Sequence, residues 1–273
     1  MTIKPTAFVL LFALVLFSCK NKSESTTLED DNQENIIVTP PQKDTDVSEA
    51  GVKKGFNIYP IEHASLVLNW DGDIIYIDPV GRKEDFLRYK EPDMILITDI
   101  HPDHLDTKLL ESVVTEKTSI IAPKAVFKKL PKAIQNNTEV VDNGGKTSDY
   151  EIAIEAIPMY NLRKEALKYH KKGRGNGYLL ERNGKRVYIS GDTEDIPEMR
   201  NLKNIDIAFV CMNLPYTMTV EKAAEAVLAF KPKTVYPYHY RGENGMSDVA
   251  KFKVLVEAGN PDIKVVQLDW YAR

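Results

Sequence analysis

Four side chains that bind metal ions in proteins occur within six residues of this chain: Asp99, His101, Asp103 and His104. Imidazole and carboxylate groups are ligands for zinc, iron and manganese. The preceding apolar run, Met94–Ile97, predicts a buried strand that Pro102 prevents from continuing. The pattern therefore predicts a metal site on a tight loop at a strand end. The alternative is a solvated loop whose carboxylates cap the next helix, a role that suits Asp106.

The segment Thr98-Asp-Ile-His-Pro-Asp-His104 resembles the His-x-His-x-Asp-His signature of the metallo-β-lactamase superfamily. Asp99 stands where that signature has its first histidine. The resemblance implies an α/β (α+β) fold, a four-layer αββα sandwich, with a site for one or two metal ions and a hydrolytic activity.

The resemblance also implies ligands at the ends of later strands. Asp192, in Gly-Asp-Thr after an apolar run, matches the carboxylate that bridges two metals, although an aspartate there could also cap a helix. His239 matches the last histidine ligand, with a packed polar histidine as the alternative. Asn161 stands where the superfamily has another histidine, and the next histidine along the chain, His170, comes nine residues later.

By this resemblance the first metal position consists of Asp99, His101 and Asn161. The second position consists of Asp103, His104 and His239, and Asp192 bridges the two. Oxygen ligands favour manganese, iron or magnesium over zinc. We expect one or two divalent ions (zinc, manganese or iron), and we expect the second position to fill first.

A metal-bound water in such a site would attack the substrate, and Asp103 would orient or deprotonate that water. Candidates for positioning the substrate or protonating its leaving group are polar side chains near the predicted site: His63, Tyr160, His170 and Arg241. His63-Ala-Ser65 resembles the branch that includes the L-ascorbate-6-phosphate lactonase and the N-acyl-phosphatidylethanolamine phospholipase D. The alternative for His63 is a hydrogen-bonded core histidine. Arg174, in a Gly-Arg-Gly loop, is a candidate for binding an anionic group.

These features predict a metal-dependent hydrolase that acts on a small-molecule ester, lactone, amide or phosphodiester. The alternative is a membrane-tethered binding module on the same fold, because one fold carries many functions. The formal charge of −4 shows no basic surplus and gives no indication of a nucleic-acid partner.

Short strands and strand–helix alternation predict the elements that position these residues. Asp71-Gly72-Asp73 and Asn183-Gly184 predict the turns of two β-hairpins, each followed by alternating strands and helices. Two sheets with helices outside accommodate that order. Cys211 lies in an apolar run and Cys19 near the N-terminus, so we expect no structural disulfide.

Residues 1–19 predict a targeting segment, because Lys4 precedes an apolar run that is too short to span a bilayer. Leu16-Phe-Ser-Cys19 resembles the lipobox of bacterial lipoproteins, although Phe17 departs from the usual small residue. Alternatives are an ordinary secretory signal or a short anchor. We expect lipidation at Cys19 and a lipid-anchored location in the bacterial cell envelope, periplasmic or surface-exposed. Residues 20–52 are polar and predict a disordered tether, followed by a hydrolase domain at 53–273.

Overall fold

The computed structural model describes residues 55–271 and the backbone of the short strand Ile37–Val38. The predicted leader at 1–19 and most of the predicted tether at 20–52 lie outside the described residues. Within the part of the chain that is described, no helix is long and apolar enough to cross a membrane.

The strand Ile37–Val38 lies inside the segment that the sequence predicts to be disordered. It pairs in parallel with Asn57 and Ile58 and so extends the first sheet at its edge. The pairing occurs at Ile37 and Val38, two β-branched residues of the kind that favour extended backbone. The ordered part of the domain therefore includes two residues that precede the predicted boundary at residue 53.

The first sheet has seven strands, and neighbouring strands follow one another in chain order. They are β1 (Ile37–Val38), β2 (Phe56–Glu62), β3 (Ser65–Trp70), β4 (Asp73–Ile77), β5 (Met94–Leu96), β6 (Ser119–Ala122) and β7 (Thr138–Val140). Strands β2 to β4 are antiparallel, and β4 to β7 are parallel. Asp71 and Gly72 connect β3 to β4 with positive φ angles of 56° and 109°, which confirms the predicted hairpin turn.

The second sheet repeats this arrangement, with antiparallel hairpin strands followed by parallel strands. Its strands are β8 (Lys146–Asp149), β9 (Ile152–Met159), β10 (Gly175–Arg182), β11 (Lys185–Ile189), β12 (Ile207–Cys211), β13 (Thr234–Tyr238) and β16 (Lys264–Val265). A separate hairpin pairs β14 (Arg241–Gly242) with β15 (Gly245–Met246). The second predicted turn, Asn183-Gly184, connects β10 to β11.

Seven helices accompany the sheets in the described residues. They are α1 (Lys83–Leu87), α2 (Thr107–Val113), α3 (Lys124–Phe127), α4 (Lys132–Gln135), α5 (Pro197–Arg200), α6 (Val220–Phe230) and α7 (Val249–Gly259). Asp106 caps α2, because its Oδ1 accepts hydrogen bonds from the backbone N–H groups of Lys108 and Leu109, both at 3.0 Å. The helix cap considered for Asp106 is thus confirmed.

Two apolar clusters show how the layers pack. The larger cluster joins inward residues of both sheets, such as Leu66 and Leu180, and includes Val227 of α6. The smaller cluster packs the other face of the first sheet, including Ile95, against α2 through Leu110. Each sheet is therefore covered by its partner sheet on one face and by helices on the other, and the predicted αββα sandwich is confirmed.

The parallel strands of both sheets end in polar residues. Asp78 follows β4, the segment Asp99–His104 follows β5, Asp192 follows β11 and His239 follows β13. Ligands characteristically bind beyond the carboxyl ends of strands in α/β sheets. Contacts among these side chains show that the strand ends of the two sheets meet at one place.

Candidate metal centre

All five histidines of the chain converge at these strand ends, although they are spread along the sequence: His63, His101, His104, His170 and His239. Together with aspartates they form three groups of potential ligands, one of which, His63, Asp103 and His239, shares His239 with another. We call Asp99, His101 and His170 the first cluster, and His104, Asp192 and His239 the second cluster. In each group the potential ligand atoms lie within 4.8 Å of one another. The structure thus assembles two histidine–carboxylate sets from distant parts of the chain.

The second cluster is almost fully buried. The Nε2 atoms of His104 and His239 lie 3.2 Å apart. Asp192 lies between them, with Oδ2 at 3.4 Å from His104 Nε2 and Oδ1 at 3.2 Å from His239 Nε2. Asp103 approaches from the solvent side, 3.4 Å from His239 Nε2, and its side chain is 41% exposed.

Asp78 supports His104 from behind. Its Oδ2 lies 2.8 Å from His104 Nδ1, and the carboxylate also accepts hydrogen bonds from the backbone N–H and the hydroxyl of Thr98. Burial raises the pKa of Asp78 above its usual value, although the contacts with His104 and Thr98 act in the opposite direction. With three donors around it, the carboxylate is the form that these contacts satisfy. Nδ1–H of His104 therefore donates to Asp78, and Nε2 is the atom that faces the cluster, where a bound ion would take the place of its proton.

Asp192 also contacts the first cluster. Its Oδ2 lies 3.2 Å from His170 Nε2, and His170 Nε2 lies 3.9 Å from Asp99 Oδ2. On the other side of Asp99, Oδ2 lies 2.9 Å from His101 Nδ1. One carboxylate therefore reaches histidines of both clusters, as the resemblance implies for Asp192.

The first cluster contains His170 where the resemblance suggests Asn161. The Asn161 amide donates to the backbone carbonyls of Ala166 at 2.9 Å and Tyr216 at 2.6 Å. Nδ1 of His170 lies 3.1 Å from the same Tyr216 carbonyl, so this nitrogen carries the proton and Nε2 faces the carboxylates. Asn161 thus holds the loop that brings His170 into the cluster. Neither the length of this loop nor its course can be read from sequence spacing.

The fit of these residues to a metal ion can be tested on the structure itself. Four side-chain atoms of this region are buried without a hydrogen-bond partner among residues 55–271: Asn161 Oδ1, His170 Nε2, Asp192 Oδ1 and His239 Nδ1. Buried polar atoms without a partner are unfavourable, and an ion bound among them would supply one. Buried nitrogen and carboxylate donors of this kind suit a divalent transition metal. The residues present therefore fit such an ion.

The charges of the buried groups agree with this conclusion. Burial alone would raise the pKa of Asp192, but His239 and His104 hold it well below its usual range. Burial alone would lower the pKa of His104, but Asp192 and Asp78 raise it well above that of a free imidazole. The pKa of His239 is lowered, mainly by burial. The second cluster thus keeps Asp192 ionised and favours a positive charge beside it.

His63 belongs to the centre rather than to the core. Its Nε2 lies 3.4 Å from Asp103 Oδ2, and its Nδ1 lies 2.8 Å from the hydroxyl of Tyr271. Burial raises the pKa of Asp103, but hydrogen bonds from His239 and His63 outweigh it and the pKa falls below its usual value. The pair of His63 and Asp103 therefore faces the cavity with an ionised carboxylate.

Three residues of the centre adopt left-handed backbone conformations that are uncommon outside glycine: His63 (φ 55°), Asp78 (φ 43°) and His239 (φ 47°). Such conformations cost on the order of 1–3 kcal/mol each, and they concentrate at functional sites. The backbone N–H of His239 donates to the carbonyl of His63 at 3.1 Å, which ties the first and second sheets together at this point.

The centre opens into a cavity of about 330 Å³. Asp103, His63 and His170 line it together with Tyr169, Tyr216 and Arg241. Arg174 is not available for an anionic substrate group as suggested from the sequence, because its guanidinium is paired with Asp99. Tyr160 hydrogen-bonds to Glu198 at 2.9 Å and is not among the residues that line this cavity.

Sequence reasoning assigned no role to three supporting residues: Asp78, Thr98 and Tyr271. The Asp-Pro pair after β4 was a usable signal for Asp78, since a carboxylate at a strand end next to the predicted ligand loop can reach it. Tyr271 carries no such signal, because its role arises from the path of the chain after β16.

Comparisons with known proteins agree with the geometry. Residues 57–239 match the family of the β-lactamase superfamily domain. A UPF0173 metal-dependent hydrolase from Pyrococcus abyssi is 30% identical over 208 residues (71% of this chain and 89% of the relative). A crystal structure described as a metal-dependent hydrolase from Parabacteroides distasonis is 41% identical. It has a TM-score of 0.70 and covers 79% of this chain and 93% of its own.

The metallo hydrolase Igni18 from Ignicoccus hospitalis shares the fold. It is 22% identical, with a TM-score of 0.65, and covers 78% of this chain and 94% of its own. The family match spans both clusters, from His63 to His239. The chain therefore belongs to the β-lactamase superfamily and is a metal-dependent hydrolase.

Proposed function

We propose that the chain hydrolyses a small-molecule ester, lactone, amide or phosphodiester with one or two divalent ions at the described centre. The observation that carries this proposal is the convergence of Asp192 with His104 and His239 at the floor of a cavity whose wall presents Asp103. The second cluster would hold the ion that binds first, and the first cluster would hold a second ion, with Asp192 between them.

A divalent ion held there would acidify a bound water and polarise the bond to be cleaved. Asp103 is placed to accept a proton at Oδ2, because its carboxylate is ionised and partly open to solvent. His63 stands beside it with Nε2 toward the cavity and is the candidate proton donor to the leaving group. His170 would act as a ligand of the first cluster rather than as a substrate-positioning residue.

The choice of metal follows from the donor atoms. With His170 in the first cluster, each cluster offers two imidazole nitrogens and at least one carboxylate. That set is less oxygen-rich than the sequence suggests, and it suits zinc, iron or manganese better than magnesium.

The test is metal analysis of the purified full-length protein followed by a substrate screen. Candidate substrates are aryl esters, lactones, amides and phosphodiesters, each tried in the presence of zinc, iron or manganese. We expect metal-dependent turnover of at least one class, lost on chelation and restored by the metal. A protein that binds metal but turns over none of these classes would favour the alternative of a tethered binding module.

We also propose that the protein is a lipoprotein of the cell envelope, anchored through Cys19. The support is the apolar run that ends in Leu16-Phe-Ser-Cys19 and the polar residues that follow at once. Cys19→Ser should move the protein from the membrane fraction to the soluble fraction of cells that express it. Unchanged fractionation would rule out lipidation as the anchor.

A further inference from the structure

A positively charged side chain, that of Arg174, contacts the first cluster. Arg174 donates two hydrogen bonds to Asp99, from Nε to Oδ1 at 3.0 Å and from Nη2 to Oδ2 at 2.6 Å. The Asp99 side chain is fully buried, and that of Arg174 is 19% exposed. Both oxygens of the carboxylate therefore accept hydrogen bonds from one guanidinium, in the two-pronged geometry that arginine favours.

The same guanidinium reaches a second member of the cluster. Nη2 of Arg174 lies 3.3 Å from His101 Nε2, and the other ring nitrogen of His101 faces Asp99 at 2.9 Å. The hydrogen-bonding atoms of Asp99 and His101 are thus engaged with each other and with Arg174. By contrast, Asp192 and Asp103 form no ion pair with any lysine or arginine among residues 55–271.

The backbone fixes Arg174 in this place. Asn176 at the start of β10 donates its N–H to the carbonyl of Thr98 at 2.9 Å, which sets the strand against the Asp99 loop. Gly175 permits this approach, because a Cβ there would lie 2.7 Å from the Thr98 carbonyl oxygen and 3.3 Å from Asp99 Oδ1. Arg174, the residue before Gly175, is consequently held against Asp99.

We propose that Arg174 makes the first cluster the weaker of the two metal positions, by occupying Asp99 and His101 with a guanidinium. This inference rests on the proposed function, in which the two clusters hold the metal. It assigns Arg174 to the control of metal occupancy and not to substrate binding.

The reason is the balance of charge. A guanidinium stays protonated at any pH at which the protein is folded, so Arg174 cancels the charge of Asp99, the carboxylate of the first cluster. Asp192 reaches both clusters, but only the second cluster also has the carboxylate of Asp103 beside it, which no arginine or lysine among residues 55–271 pairs with. A divalent ion in the first cluster would lie close to a fixed positive charge, and in a buried site that repulsion is poorly screened. At limiting metal the second cluster therefore fills alone.

The experiment compares zinc and manganese binding to the metal-free full-length protein and its variants by equilibrium dialysis with metal counting. Arg174→Gln removes the charge, whereas Arg174→Lys keeps it. Arg182→Gln is the matched control, because Arg182 pairs with Asp73 at 2.7 Å, outside both clusters. We expect one tight and one weaker ion in the wild type, and a weaker ion bound at least about tenfold more tightly by Arg174→Gln. Arg174→Lys and Arg182→Gln should behave as the wild type does.

Two ions bound with equal affinity by the wild type would overturn the inference. So would an unchanged or weakened second ion in Arg174→Gln, since Arg174 would then only position Asp99. Retention of the first ion in Arg174→Gln shows that the variant is folded. If the wild type bound no ion at all, the proposed function would fail and this inference with it, whereas the preceding two outcomes reject only the role of Arg174.

Discussion

Asp78 Oδ2 lies 2.8 Å from Nδ1 of His104, and both side chains are completely buried. This contact directs Nε2 of His104 toward Asp192 and His239. A carboxylate behind a ligating histidine fixes the orientation and the tautomer of its ring. The position of an ion in the second cluster thus depends on a residue that would not touch it.

Asp78→Asn should lower metal affinity by about 10- to 100-fold without unfolding the protein. The amide can accept from His104 or from Thr98, but its NH2 group then opposes one of the donors that Asp78 satisfies. Affinity can be measured by titration against a chelator of known strength. Asp93→Asn is the control, because Asp93 accepts the N–H of Ile74 at the opposite end of the same sheet. Equal losses in the two variants would contradict a specific role for Asp78.

His104→Ala and His239→Ala should each reduce bound metal and hydrolytic activity together. Both imidazoles direct Nε2 at the second cluster, so either substitution removes a ligand from the position that we expect to fill first. Metal content and turnover are measured on the same preparations. Tyr236→Phe controls for changes in packing, because Tyr236 lies on β13, the strand that ends directly before His239. Full metal content with full activity in either histidine variant would refute the assignment.

His170→Ala and Asn161→Ala should have different effects. Removal of the His170 imidazole should weaken the second ion and leave the first ion in place, because His170 belongs to the first cluster. Asn161→Ala should instead lower the free energy of unfolding by about 1–3 kcal/mol, since two carbonyls lose their donor. Metal titration and urea unfolding of both variants separate these outcomes. If Asn161→Ala lost the second ion and His170→Ala did not, Asn161 rather than His170 would be the ligand.

Cys211 should be inert to thiol reagents in the folded protein. Burial raises the pKa of its thiol to about 12, so the reactive thiolate is scarce near neutral pH. The pKa of the Cys211 thiol is thus higher in the folded than in the unfolded protein. Burial of the neutral thiol therefore stabilises the fold fully below about pH 9, and this stabilisation is lost as the pH rises toward 12. In a Cys19→Ser background, a thiol reagent at pH 8 should label the protein only after unfolding. Rapid stoichiometric labelling of the folded protein would contradict the burial of Cys211.

The family and most of the centre could be predicted from the chain alone. The cluster at Asp99–His104 is local, because a strand ends just before it and its four ligand-type side chains lie within six residues on both sides of Pro102. Asp192 and His239 were recognisable because each comes directly after an apolar strand, and the ends of parallel strands meet at one edge of a sheet. The two hairpin turns were predictable for a similar reason, since Asp-Gly and Asn-Gly adopt the positive φ angles that such turns require.

The remaining contacts required the tertiary structure. His170 reaches the first cluster because the loop between β9 and β10 folds back on Tyr216, more than forty residues later. Arg174 pairs with Asp99 across 75 positions of sequence, and His63 meets Tyr271 across 208. Spacing along the chain predicts which side chains leave a strand at its end. It does not predict which loop crosses that end, because the path of a loop depends on packing against elements remote in sequence.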